Sequence, residues 1–389
     1  MPSDFLKKAA GDLADAAKGA VEKAGDAATD LAGNLAGGID GLVGGLQRDK
    51  EVIAYPTYGY RKAGEEGAWV IRLRVWVNKA RRLPVPDELI GVLARDMQPL
   101  DAEDIVTLRK RVRHFVADDD SRERVSVRFK DDPEGRTYDL PGLTDHNGLV
   151  EHDLEIPDAT ARALLAAQGS DEGRLAFTAI SGEFEGEGRA RLVEPTGLSV
   201  ISDIDDTIKI TEVPAGKRVV LRNTFLRDYV AVPGMAERYR ALGDGVMFHY
   251  VSGSPWQLYT LLGDFLSGEG FPEGAFHMKD VRKNLLDPAS WQDFRNFAAG
   301  DEATFEQKLG QITRVMLNLP RREFILVGDS GEKDPEVFRE LKKTFGAQVR
   351  EIFIRDVVDE RSRPHPNRLE GMTVIEAPTI VHGVTQFTD

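Results

Sequence analysis

Residues 198–209 read Leu-Ser-Val-Ile-Ser-Asp-Ile-Asp-Asp-Thr-Ile-Lys. An apolar run passes directly into acids at Asp203, Asp205 and Asp206, followed by Thr207. A short apolar run of this kind suits a buried strand, and the acids then stand at its carboxyl end. The form recurs downstream. Runs at 246–251, 275–278, 324–327 and 349–354 suit further strands, and helical patterns at 256–266, 305–319 and 335–345 lie between them. Strands alternating with helices imply an α/β fold built on a doubly wound parallel sheet. Ligands of such sheets bind beyond the carboxyl ends of the strands.

Polar residues collect at those ends. The second run leads into Ser252-Gly253-Ser254-Pro255-Trp256 and the fourth into Gly328-Asp329-Ser330-Gly331-Glu332-Lys333-Asp334, while Lys308 lies on the helix before the fourth run. Phosphoryl transfer needs this set. Asp203 can attack phosphorus and form an aspartyl-phosphate. Asp205 can protonate the leaving oxygen and then activate water. Asp329 and Asp334 offer hard oxygen ligands to Mg²⁺, which offsets repulsion between carboxylate and phosphate. The Ser252 hydroxyl and the N–H groups after it can bind the phosphate at a helix N-terminus, with Pro255 at the first helical position and Ser254 as the cap. Lys308 can place a positive charge on the same oxygens, and Lys279, at the end of the third run, competes for that role. Asp206 reads as a loop or capping residue. Glu332 reads equally as a solvated loop residue or as a metal ligand acting through water. His249 and His277 read as core or edge histidines.

These motifs resemble the haloacid dehalogenase superfamily of phosphohydrolases. Asp203, Asp205 and Thr207 match its first motif, Ser252 its second, and Gly328, Asp329 and Asp334 its fourth. The resemblance implies that Thr207 steadies the loop after the nucleophile and that the Asp205 main-chain carbonyl ligates magnesium. The implied metal set is Asp203, Asp205, Asp329 and Asp334. The strings beginning at Ser202, Val251 and Phe324, with Val232-Pro233-Gly234-Met235, are similar to the fungal actin-patch phosphatidate phosphatase family and its bacterial relatives. That resemblance covers about residues 197–356, and Tyr55-Pro56-Thr57-Tyr58-Gly59-Tyr60 extends it upstream. It implies a magnesium-dependent phosphoric monoester hydrolase acting on phosphatidate. The alternative is a non-catalytic lipid-surface binding or scaffold protein, which would be expected to lose Asp203 or Asp205; this chain keeps both. Only a short stretch, including 221–229 and a helix over 234–242, separates Thr207 from the second strand. The site is therefore expected to be open to a large or membrane-bound substrate.

Three regions are expected: 1–50, 51–196 and 197–389. Residues 51–196 read as β-rich, an antiparallel sandwich or barrel. Trp69, Ile71, Leu73, Val75 and Val77 alternate with Val70, Arg72, Arg74 and Trp76, the period-2 pattern of a half-buried strand. One helix carries Ile105, Leu108, Val112 and Phe115 on one face, and His114, His146 and His152 read as surface or packed residues. Residues 1–50 are rich in Ala and Gly and repeat every eleven residues, as at Leu13, Ala24, Leu35 and Leu46. Eleven residues make close to three helical turns, so the repeat draws a straight stripe along an amphipathic helix. It is read either as a tail or packed helix or as a peripheral membrane contact.

Composition bounds the rest. The chain has 389 residues and a formal charge of −14. That balance argues against a general nucleic-acid binder, which needs a basic face. With no cysteine there is no disulfide framework, zinc-thiolate site or thiol catalysis. No apolar run reaches the roughly 20 residues of a spanning helix, and no secretory signal is evident. A cytoplasmic protein, peripheral to the membrane if residues 1–50 bind lipid, is expected.

Overall fold

The structure, a computed structural model, describes residues 50–62, 67–79, 87–115, 118–119, 121–280, 302–362, 366–375, 380–381 and 384–385. The expected helical segment at 1–50 lies outside the described residues, apart from Lys50.

Among the described residues the first sheet has nine strands. They are β1 (Lys50–Ala54), β2 (Thr57–Arg61), β3 (Ala68–Lys79), β4 (Asp118–Asp119), β5 (Ser126–Phe129), β6 (Tyr138–Asp139), β7 (Leu149–Pro157), β8 (Arg174–Ser181) and β9 (Phe184–Leu192). The order is β1-β3-β2-β9-β8-β5-β6, with β4 and β7 also pairing β3. Every pairing is antiparallel except that of β2 with β9, where Thr57 faces Ala190 in parallel register. That parallel pair is a departure from the antiparallel expectation. Helices α1 (Asp87–Arg95), α2 (Ala102–Val112) and α3 (Asp158–Ala167) accompany this sheet, where one helix was expected. α2 starts in a capping box between Asp101 and Asp104, which satisfies two N–H groups that no helical carbonyl reaches.

The alternation along β3 places Trp69, Ile71, Leu73, Val75 and Val77 in one core with Val127, Phe129, Val150, Leu154, Leu175, Phe177 and Leu192. The other face is not simply polar. Trp76 is buried there with Leu108, Val112 and Phe115. A Cβ at Gly186 would come within 2.0 Å of the Val52 carbonyl oxygen, so glycine there lets β1 lie against β9.

The second sheet is parallel, in the order β12-β11-β10-β13-β14-β15. Its strands are β10 (Leu198–Asp203), β11 (Met247–Pro255), β12 (Gly274–Lys279), β13 (Glu323–Asp329), β14 (Val349–Arg355) and β15 (Thr373–Ile375). Helices α4 (Lys217–Phe225), α5 (Met235–Arg240), α6 (Tyr259–Gly268), α7 (Glu302–Asn318) and α8 (Asp334–Phe345) flank it. Because side chains alternate across a strand, both faces are covered. Val200, Phe248, Tyr250 and Val327 pack with Val220, Phe225, Tyr239 and Leu262. Ile201, Met247, Phe324 and Leu326 pack with Ile312, Met316, Phe338 and Leu341 on the other side. A mixed α/β architecture with one large antiparallel-type and one large parallel sheet results, and among the described residues Ile380–Val381 and Val384–Thr385 form a further two-stranded antiparallel ladder.

β11 runs further than the apolar pattern suggests, through Ser252–Ser254 to Pro255. Pro255 therefore ends the strand and precedes a 3₁₀ turn, Trp256–Leu258, instead of opening the helix. The sheets share contacts. The Tyr58 hydroxyl accepts from Asn318 Nδ2 at 3.0 Å, and Tyr55 packs against Trp256 and Tyr259. Arg322 donates to the carbonyls of Glu194, Thr196 and Leu198 and to Ser199 Oγ, fixing the connection between β9 and β10.

Candidate active site

Asp203 is the last residue of β10, which lies between β11 and β13. Its side chain is 3% exposed. Lys308 Nζ, from α7, donates to Asp203 Oδ1 at 2.7 Å, and Thr207 Oγ1 donates to Oδ2 at 3.0 Å. The chain turns tightly after the strand, with the N–H groups of Ile208 and Lys209 both reaching the Ile204 carbonyl at 3.0 Å. Asp206 sits at φ +55° and accepts from the backbone of Thr211, Glu212 and Val213. It closes the loop, as its place in the sequence suggests.

The Asp205 carboxylate has other partners. Oδ1 accepts from Lys209 Nζ and Thr211 Oγ1, each at 2.7 Å. Oδ2 accepts from the hydroxyls of Ser252 and Ser254, each at 3.1 Å. Burial pushes its pKa up, but the Lys209 ammonium and these hydrogen bonds outweigh that and hold it down at about 2. Ser254 thus donates to Asp205 and makes no side-chain cap for the following turn, a correction to its expected role. Ser252 Oγ also accepts from the Ser254 N–H at 2.9 Å.

The fourth cluster closes over Asp203. Asp334, the first residue of α8, accepts from Lys308 Nζ at 2.7 Å through Oδ1 and from the Asp329 N–H at 3.2 Å through Oδ2. Gly328 is required here, since a Cβ would lie 2.4 Å from Asp334 Oδ2. Asp329 Oδ1 accepts from the N–H groups of Gly331 and Glu332 at 2.6 and 3.2 Å, while its Oδ2 is buried without a hydrogen-bond partner. Glu332 accepts from Lys308 Nζ at 2.8 Å. One carboxylate oxygen each from Asp203, Glu332 and Asp334 lies within 4.8 Å of the others.

The electrostatics are lopsided. Burial and repulsion from Asp334, Glu332 and Asp329 push the Asp203 carboxyl well above its usual range, against the pull of Lys308. Asp329 and Glu332 are raised chiefly by burial. Burial pulls Lys308 down, but Asp203, Asp334 and Glu332 hold its ammonium well above the usual lysine value. Several carboxylates share one lysine, and one buried carboxylate oxygen is unpartnered. Hard oxygen donors in such surplus fit a metal ion, and the cluster can hold one.

The structure thus brings Asp203, Thr207, Lys308 and Asp334 into direct contact and joins Asp205 to Ser252. Asp329 reaches the group through its own loop and Asp334. Lys279 is half-buried at the end of β12, opposite Pro255, and among the described residues no hydrogen bond links it to these acids. Lys209 was missed in the sequence, although a lysine between Ile208 and Ile210 beside an acid pair was its one signal. Glu332, left open between two readings, belongs to the cluster.

Fold and site together define an α/β protein with a buried acidic cluster at the carboxyl edge of a parallel sheet. Residues 198–356 match the family model of the phosphatidate phosphatase APP1 catalytic domain. It is 31% identical to phosphatidate phosphatase APP1 of Saccharomyces cerevisiae over 262 residues, covering 66% of this chain and 41% of that protein. An uncharacterized protein of Schizosaccharomyces pombe is 30% identical over 176 residues, 43% of this chain and 27% of its own. The chain therefore spans less than half the length of these relatives. A crystal structure of a sialyltransferase from Photobacterium damsela matches 60% of this chain and 37% of its own at 11% identity, with a TM-score of 0.19.

Proposed function

We propose that the chain is a magnesium-dependent phosphatase with a haloacid dehalogenase-like, doubly wound domain over 197–389. It hydrolyses a phosphate monoester through an aspartyl-phosphate, and phosphatidate is the substrate that the likeness to the Saccharomyces cerevisiae phosphatidate phosphatase suggests. The observation that carries this reading is Asp203, buried at the end of a central strand with Lys308 and Thr207 on its two oxygens. Asp203, Asp329 and Asp334, with the Asp205 carbonyl and Glu332 beside them, would hold Mg²⁺. The ion would supply compensation for charge on the transferring phosphate.

The residues then divide the work. An Asp203 oxygen bonds to phosphorus as the bond from phosphorus to the leaving oxygen breaks. Asp205 gives that oxygen its proton. In the second half Asp205 takes a proton from water, the water oxygen bonds to phosphorus, and Asp203 is released with inorganic phosphate. Bonded to Lys209, Asp205 is ionised and suits the second half. To serve as the acid it must turn from Lys209 and take up a proton. Ser252, freed by that turn, can donate to the phosphate, and Lys308 neutralises the crowded oxygens. A scaffold protein would have no use for so many unmatched carboxylates.

Residues 51–196 are proposed to act as a β-rich domain packed against the parallel sheet, and residues 1–50 as a surface-seeking segment that raises substrate concentration at a membrane. Among the described residues no helix is long and apolar enough to cross a bilayer.

The test is Asp203→Asn, which preserves shape and removes the nucleophile. Phosphate release from phosphatidate in detergent micelles and from a small soluble ester is expected to fall at least about 1000-fold, with an unchanged melting temperature. A near-normal rate in the folded variant would rule Asp203 out.

A further inference from the structure

We propose that Arg368 is a positioning residue for the acidic loop 329–334, so that chain beyond the family-matching segment completes the site. The proposal rests on the metal-site reading above and extends it to a residue outside the match, which ends at 356.

Arg368 lies in a short 3₁₀ turn, Pro366–Leu369. A guanidinium has five N–H donors in a fixed fork, and here each has an acceptor. Nη1 donates to the Ser330 carbonyl at 2.5 Å and to Glu360 Oε1 at 3.1 Å. Nη2 donates to the Glu332 carbonyl and to Glu336 Oε2, the latter at 2.9 Å. Nε donates to Glu336 Oε1 at 2.7 Å. The two carbonyls flank Gly331. The N–H groups of Gly331 and Glu332 turn the opposite way, to Asp329 Oδ1. The loop is thus gripped on its carbonyl side by Arg368 and on its amide side by Asp329. That grip fixes which way the Glu332 carboxylate points, and it points at Lys308. It also fixes the rotation of Asp329, whose second oxygen stays unpartnered.

The fork is itself held. Leu369 is buried with Val337, Phe338 and Leu341, and Arg339 donates to the Arg368 carbonyl. Glu336 and Glu360 balance the guanidinium charge, so Arg368 adds little positive charge to the acidic cluster. Its contribution is geometric. A lysine cannot reproduce it, because one ammonium cannot span two carbonyls and a bidentate carboxylate.

The experiment uses the full chain and compares it with Arg368→Lys, Arg368→Ala and a control, Arg322→Lys, which removes the comparable fork at the β9–β10 connection. Mg²⁺ binding is read by calorimetry, turnover is read against Mg²⁺ concentration, and hydrogen exchange is read at the amides of Gly331 and Glu332. Arg368→Lys is expected to weaken Mg²⁺ binding at least fivefold and to raise the Mg²⁺ concentration for half-maximal turnover by the same factor. At saturating Mg²⁺, kcat and KM should return to within twofold of the parent. The two amides should exchange at least tenfold faster. Arg322→Lys should lower the melting temperature and leave metal binding alone. Parent-like Mg²⁺ binding and parent-like exchange in folded Arg368→Lys would overturn the proposal. Should both Arg368 variants fail to fold, Glu336→Gln, which weakens the fork's bidentate anchor, carries the test with an expected twofold loss of Mg²⁺ binding, and no loss overturns it. If the parent itself binds no Mg²⁺, the reading of the site fails, while the exchange data still decide whether Arg368 fixes the loop.

Discussion

The two sheets treat their carboxylates in opposite ways. Around the antiparallel sheet, acids find basic partners one by one. Asp132 holds Arg136 through Nε at 2.9 Å and Nη2 at 2.7 Å, and Arg136 keeps its carboxyl down at about 2. Burial pushes Asp158 up, but Arg61 and the Trp69 indole N–H outweigh it and leave it lowered. At the carboxyl edge of the parallel sheet, Asp203, Glu332 and Asp334 share Lys308, and Asp203 and Asp329 are driven upward. Neutralised pairs serve a scaffold. A buried group short of positive charge costs stability unless a cation or a reaction makes use of it, so the imbalance marks the site.

The contrast breaks most completely if the missing charge is taken away. With Mg²⁺ chelated, turnover is expected to fall to background. Asp329→Asn, which keeps an oxygen for the Gly331 and Glu332 amides, should weaken Mg²⁺ binding at least about tenfold. It should leave the metal-free protein as stable as the parent or more so, because one of several like charges is gone. Full activity in excess chelator would remove the metal from the mechanism.

Next in size is the one matched pair inside the site. Lys209 is 2% exposed and lies 4.8 Å from the Tyr229 ring centroid. Lys209→Met would leave the Asp205 carboxylate buried without its counter-charge, at a cost of about 3–5 kcal/mol in urea unfolding. Adding Asp205→Asn should recover most of that loss. If the two single losses simply add, the pair is not coupled and Lys209 is packing alone.

How much of this was legible follows the same division. The strands at 198–203 and 323–329 could be read because a buried parallel strand needs an unbroken apolar run, and because its end is where polar residues resume. The acids at those ends could be read for the same reason. Pairings between distant segments leave no such trace. Nothing local in Thr57–Arg61 distinguishes a strand that will pair in parallel with β9. Trp76 sits at a position of β3 where the alternation calls for a polar residue, and it is buried in a core that includes Leu108, Val112 and Phe115. Ser254 and Pro255 read as a helix start, but Ser254 turns to Asp205 and β11 continues past it. Arg368 leaves no local trace either, because its five acceptors come from three other segments.

A smaller effect concerns charge kept out of the interface between the sheets. His249 Nδ1 lies 3.2 Å from His277 Nε2, and the Tyr58 ring meets His249 edge-on. Burial holds both imidazoles neutral, His277 down to about 3 and His249 well below the usual value, with Arg72 and Arg314 acting on the former and Arg322 on the latter. In the unfolded chain each histidine takes a proton below about pH 6.5. The unfolded state therefore binds more protons as pH falls below that value. This stability is complete above about pH 6.5 and declines toward pH 3, by at most about 1.4 kcal/mol per pH unit per histidine. The melting temperature should drop between pH 7 and pH 5, and His277→Asn should shallow the drop. Parallel pH profiles for parent and variant would mean that burial does not hold His277 neutral.

The smallest expected effect tests the scaffold side of the comparison. Asp132 accepts from the N–H groups of Glu134 and Arg136 at 3.1 and 3.0 Å as well as from the Arg136 side chain. Its carboxyl is depressed to about 2, against about 4 in an unfolded chain. The sign is opposite to that of the histidines, because here the ionised form is favoured by folding. The contribution is complete above about pH 4 and lost as pH falls toward 2. Asp132→Asn should cost about 1 kcal/mol at pH 7, as expected of a local turn and ion pair. The gap between parent and variant urea midpoints should narrow at pH 3, where the parent carboxylate is losing its advantage. Turnover of a soluble ester should be unchanged, because Asp132 belongs to the turn between β5 and β6 and neutralises only Arg136 and its own loop. A loss of turnover like that of Asp203→Asn would mean that matched charges in the first sheet also serve the chemistry, and the division between the sheets would fail.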